Sequence, residues 1–70
     1  FFGPPRAALN AFRAAVERQP QEPRYLRSLA ALYGELGQAD VAAATLERAL
    51  ALAPDRADWY AELGDLYHAA

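Results

Sequence analysis

The sequence predicts an all-α protein of about four helices, stacked as a repeat. Three observations carry that expectation. Apolar residues fall three and four apart through most of the chain, Gly and Pro interrupt that spacing at four places, and the same punctuation returns after 34 residues. No segment alternates with period two, so no strand is expected.

The first helix is expected over about 5–19, where Leu9, Phe12 and Val16 share a face behind the breaker Gly3-Pro4-Pro5. Pro5 suits a first turn because the amide hydrogen it lacks would have had no partner within the helix. Pro20 and Pro23 close this element and open a second over about 23–36, carrying Leu29, Leu32, Tyr33 and Leu36, with Pro23 again in the first turn. Gly37 ends it. A third helix over about 39–53 carries Leu46 and Leu50, and a fourth over about 56–69 carries Tyr60, Leu63, Leu66 and Tyr67. Between them lies Pro54-Asp55, where the Asp55 carboxylate is expected to cap the fourth helix by accepting one of its orphan amides.

Composition excludes several classes of function. Seventy residues make one small domain, which buries only about 60% of the surface its unfolded chain exposes. There is no Cys and a single His, so neither a disulfide nor a Cys-based zinc site can form, one His cannot build a metal site alone, and no metal or cofactor is expected. The net charge is −2 and the seven Arg are dispersed, which argues against a nucleic-acid partner. No apolar run approaches the roughly 18 residues of a membrane span, so no direct membrane insertion is expected. The start FFGPP has neither the basic region nor the cleavage site of a signal peptide, and the initiator Met is absent. These features suggest an internal piece of a longer, multi-repeat protein. The chain has 18 Ala and no Lys, a composition that fits a GC-rich bacterial genome and leaves the compartment open between cytoplasm and periplasm.

The repeat is explicit at one offset. Gly3 and Gly37, Ala8 and Ala42, Ala15 and Ala49, Pro20 and Pro54, Leu29 and Leu63, Leu32 and Leu66, and Tyr33 and Tyr67 are all identities 34 residues apart. Conservative pairs such as Phe12 with Leu46, Leu26 with Tyr60 and Ala30 with Gly64 fill the gaps. In stacked repeats of this kind no unit buries its apolar face alone.

These residues resemble the tetratricopeptide repeat (TPR) family. Tyr60-x-x-Leu63-Gly64-x-x-Tyr67 is similar to the signature of that repeat's first helix, with Tyr where Trp is usual. Leu26-x-x-Leu29-Ala30-x-x-Tyr33, followed by Gly37, Ala42, Leu46, Ala49 and Pro54, resembles one complete repeat, and Ala8, Phe12, Ala15 and Pro20 the second helix of the repeat before it. The resemblance thus implies an α-α superhelix of about four antiparallel helices stacked as hairpins, and a single array fragment over 1–70: the second helix of a partial repeat (1–22), a full repeat (23–56), and the first helix of a third (57–70). It also implies that Gly64, Ala30, Ala8, Ala42 and Ala49 are small because neighbouring helices cross there.

By that resemblance the function is a protein–protein interaction scaffold, its first helices lining a concave groove for a peptide or partner protein. The expected binding residues are Arg24, Arg27, Ala31 and Glu35, with Gly34 beside them, and Asp58, Glu62, Asp65 and His68, with Ala61. Some family members clamp a C-terminal carboxylate with Lys and Asn. Here Arg27 and Ala31 hold the matching positions and the Asn is missing, so that clamp is not expected.

An alternative function is self-association, in which repeat edges drive homo-oligomerisation. Tyr60, Leu63, Leu66 and Tyr67 on the last helix, and Phe1 and Phe2 at the front, are expected to lie uncovered and to find a second copy. An enzyme is not expected. Ser28 has no His in its repeat to serve as base, His68 has only Asp65 near it, and no Gly-rich phosphate loop exists. Tyr33, Tyr60 and Tyr67 are read as core packing, while Tyr25 and Trp59 are left open between packing and exposure.

Overall fold

The computed structural model describes residues 5–69. Phe1, Phe2 and Gly3 lie outside the described residues. Four helices account for most of the chain: α1 (Pro5–Arg18), α2 (Pro23–Glu35), α3 (Ala39–Leu52) and α4 (Ala57–Ala69). No strand occurs among the described residues. The helix ends fall within a residue of those expected from the sequence.

Each helix packs on the next: α1 on α2, α2 on α3 and α3 on α4. The intervening links, 19–22, 36–38 and 53–56, are three or four residues long and span at most about 14 Å when extended. A 13-residue helix is about 20 Å long, so a packed neighbour joined by such a link has to run back along it. Consecutive helices are therefore antiparallel, and α2 and α4 point the same way.

Local chemistry sets these boundaries. Pro23 is the first residue of α2, and Glu22 before it is extended and accepts a long hydrogen bond from the Arg24 amide, 3.4 Å. Gly37 ends the same helix at φ +80°, a conformation open to Gly at little cost. It lets the Gly37 amide reach the Gly34 carbonyl (3.1 Å) and the Gln38 amide reach that of Tyr33 (2.9 Å), the paired bonds of a Schellman ending.

The expected cap of α4 is displaced by one residue. Arg56, not Asp55, holds the cap position, because its carbonyl accepts from the Trp59 and Tyr60 amides. Arg56 also lays its guanidinium over the Trp59 ring, 4.4 Å from the centroid.

The core runs through the helix interfaces. Leu26, Ala30, Ala42, Leu46 and Ala49 are almost wholly buried on α2 and α3, and Val16, Leu29, Ala43, Leu50, Trp59 and Leu63 complete it. Ala30, Ala42 and Ala49 thus fulfil the expectation that small residues sit where helices meet, and Ala8 is half-buried on α1. Tyr25 is half-buried and packs against the same core, so both it and Trp59 resolve as packing residues.

Gly64 overturns that expectation. It is exposed, and a β-carbon built on it would meet no atom within 4 Å. The cause is the position of α4 at one end of the stack. Its Trp59 and Leu63 face α3, whereas Gly64, Tyr60 and Tyr67 lie on the side that no described helix covers. Tyr60 and Tyr67 are accordingly 50% and 54% exposed rather than core residues, while Leu63, expected to be uncovered, is buried.

Candidate functional site

The surface of greatest chemical variety lies where α2 and α4 run side by side above α3. At 100° per residue, α2 turns Arg27, Ala30, Ala31 and Gly34 toward α4, and α4 turns Asp58, Glu62, Asp65 and Leu66 toward α2. The two helices are joined by a forked ion pair: Arg27 donates from Nε to Glu62 Oε1 (3.0 Å) and from Nη2 to Glu62 Oε2 (2.6 Å). The pair is the only side-chain hydrogen bond between separate helices among the described residues. The bond to Glu62 raises the Arg27 pKa above its ordinary value. Both side chains are more than a third exposed, so solvent weakens the pair to the scale of a surface bridge, about 0.2–1 kcal/mol.

This bridge separates two hollows. The first, of about 220 Å³, has an apolar floor of Ala30, Ala31, Gly34, Leu46 and Leu66, with Glu62 and Asp65 on its rim. Gly34 keeps it open: a β-carbon there would stand 3.4 Å from Leu66 Cδ2. The second hollow, of about 320 Å³, is lined by Arg24, Arg27, Ser28, Arg56, Asp58 and Trp59. Here the charges are already matched. Arg24 Nε donates to Glu22 at 2.9 Å, and Arg56 makes two longer contacts with Asp58, 3.4 and 3.5 Å. Those bonds hold the carboxyls of Glu22 and Asp58 below their usual values and raise Arg24 above its own.

Six of the eight residues expected to bind a partner therefore converge on this surface: Arg24, Arg27 and Asp58 around the second hollow, Ala31 and Asp65 at the first, and Glu62 in the bridge between them. Glu35 and His68 are exposed and line neither hollow. Helix phase explains His68, which holds on α4 the place that Gly34 holds on α2, facing away from the pair; Glu35 lies within about 20° of Arg24 around α2 but about three turns further along it, at the helix's C-terminal end. Sequence reasoning missed Leu46 and Leu66 as the floor of the first hollow, and the pairing of Arg27 with Glu62. A signal for the latter was present, since Arg27 and Glu62, 35 residues apart in a sequence with a 34-residue period, fall at neighbouring phases of the equivalent helices α2 and α4.

Among the described residues no cluster of three His, Asp or Glu could hold a metal ion, and no helix is long and apolar enough to cross a membrane. The fold and this surface define an all-helical repeat-like protein with an open groove between two parallel helices. No family model, curated protein or solved structure matches the chain.

Proposed function

We propose that the protein is an interaction scaffold of tetratricopeptide type, part of a multi-repeat array, and that the groove between α2 and α4 receives a peptide or partner segment. It acts by binding and not by catalysis. The observation that carries this reading is the solvent-open groove itself, in which the Arg27–Glu62 bridge divides an apolar hollow from a polar one. An apolar depression with a few placed charges is the usual composition of a binding site.

The test compares the chain as bait with a variant in which Arg24, Arg27, Glu62 and Asp65 are all Ala, alongside a variant with Tyr60→Asp and Tyr67→Asp on the outer face of α4. Partners retained by the outer-face variant and lost by the four-residue variant would establish groove binding. Equal capture by all three would sink it.

A second reading, self-association through the end of the stack, is favoured by one contrast. Leu26 is 1% exposed beneath α3, while its repeat equivalent Tyr60 is 50% exposed. The Tyr60, Gly64 and Tyr67 face would bury such surface against a second copy. Sedimentation of the chain and of the Tyr60→Asp, Tyr67→Asp variant decides this reading. A mass that rises with concentration only in the unmodified chain supports it, and a monomer throughout refutes it.

A further inference from the structure

Ion pairing leaves the two hollows of the groove with different residual charge. Every guanidinium lining the polar hollow already faces a carboxylate: Arg24 meets Glu22, Arg27 meets Glu62, and Arg56 meets Asp58. An incoming anion would have to displace one of them. At the apolar hollow the balance is negative. Glu62 and Asp65 stand three residues apart on α4, where like charges repel. Arg27 compensates Glu62, whereas Asp65 has no ion pair among the described residues.

The size of the hollow sets the rest. A cavity of about 150 Å³ lined by apolar side chains takes up benzene, so the 220 Å³ here admits one Leu- or Phe-sized side chain. We infer that this hollow holds a single aliphatic or aromatic side chain of a partner segment whose adjacent Lys or Arg pairs with Asp65. The inference rests on the groove reading above and adds the chemistry of the occupant. It selects a cationic, apolar segment, opposite in sign to the carboxylate that the resemblance associates with such grooves.

Backbone amide NMR of the whole 70-residue chain provides the test, during titration to millimolar concentration with three short capped peptides. Their cores are Lys-Leu-Lys, Glu-Leu-Glu and Lys-Ala-Lys between identical Gly-Ser flanks. The first peptide is expected to shift the amides of Ala31, Gly34 and Asp65, and to bind more tightly than the other two, by about 1.4- to fivefold over Glu-Leu-Glu and through the buried Leu methyls over Lys-Ala-Lys. Gly34→Leu, which fills the hollow, should abolish those shifts. Asp65→Asn, at an exposed position, should weaken the Lys-Leu-Lys peptide by about 1.4- to fivefold and narrow its advantage over Glu-Leu-Glu. This second variant keeps the test independent of any folding defect in the first.

Equal or tighter binding of Glu-Leu-Glu at the same amides would overturn the cationic occupant while leaving groove binding in place. Absence of shifts at those amides with all three peptides would overturn the hollow as a binding site. The groove reading is then judged separately by the four-residue variant described above.

Discussion

Gly64→Ala should stabilise the chain. The residue is the eighth of thirteen in α4, well inside the helix, where Gly costs about 0.8–1 kcal/mol relative to Ala. Nothing offsets that gain, because the new β-carbon meets no atom within 4 Å and Gly64 does not have a positive φ. For a domain of this size about 1 kcal/mol raises the melting temperature by roughly 4–8 °C. Urea unfolding followed by far-UV circular dichroism and by the fluorescence of buried Trp59 measures it in dilute solution. Gly37→Ala is the contrasting control. At φ +80° a β-carbon crowds the following carbonyl and costs about 1–2 kcal/mol, although no neighbouring atom lies within 4 Å there either. A Gly64→Ala chain that unfolds at lower urea would refute the reasoning, since it would mean that something packs closely on that face. A gain when dilute that turns into a loss when concentrated would identify that something as a second copy.

Leu46→Ala removes one of the most deeply buried side chains and should cost about 2–5 kcal/mol, which unfolds most of so small a chain; thermal melts of Leu46→Ala and Leu46→Met, the latter expected to cost less than about 1.5 kcal/mol, check this. A double-mutant cycle on Arg27→Ala and Glu62→Ala should give a coupling of about 0.2–1 kcal/mol, falling as salt is added, and a coupling of zero would show that the bridge does not tie α2 to α4. Acid should loosen the start of α4: the Asp58 carboxyl is held below its usual value by Arg56, so its contribution is complete above the ordinary aspartate range and disappears as pH falls through the lowered value. Carboxyl-carbon NMR titration of Asp58 in the native chain and in Arg56→Ala reads this directly, the variant titrating at higher pH.

Helix number, order and ends were legible because each boundary has a local cause. Pro23 and Gly37 act through backbone geometry alone, and the apolar spacing marks which face each helix buries. The 34-residue spacing went further: it pairs Ala42 with Ala8, Ala49 with Ala15 and Ala30 with Gly64, and the resemblance built on those pairs put Ala30, Ala42 and Ala49 where helices meet, where all three are buried. What failed was the assumption that equivalent positions have equivalent neighbours. Ala30 is buried because α3 lies on it, whereas Gly64 has no such helix over it among the described residues. Periodicity in sequence gives the side chain at a position; the stack supplies its surroundings. The same limit applies to the groove. Which residues face it follows from helix phase, but the pairing of Arg27 with Glu62 and the depth at which Leu46 floors the hollow depend on how closely α2 and α4 approach.

Helix phase also makes the two proposed modes of action separable. On α4, taking Trp59 as the origin at 100° per residue, the groove residues Asp58, Glu62 and Asp65 fall at about 260°, 300° and 240°, whereas Tyr60, Gly64 and Tyr67 fall at about 100°, 140° and 80°. The two sets lie on opposite flanks of one helix, with the buried Trp59 and Leu63 between them on the inner side. A segment lying in the groove therefore leaves the outer face open, and a second copy on the outer face leaves the groove open. Binding and self-association need not compete, and substitutions on one flank are expected to leave the other mode unchanged. If instead the Tyr60→Asp, Tyr67→Asp variant lost groove binding while remaining folded, the two flanks would have to be coupled through α4 itself. That helix rests chiefly on α3, so the route of such coupling would be a shift of α4 across α3 that widens or closes the hollow above Leu46.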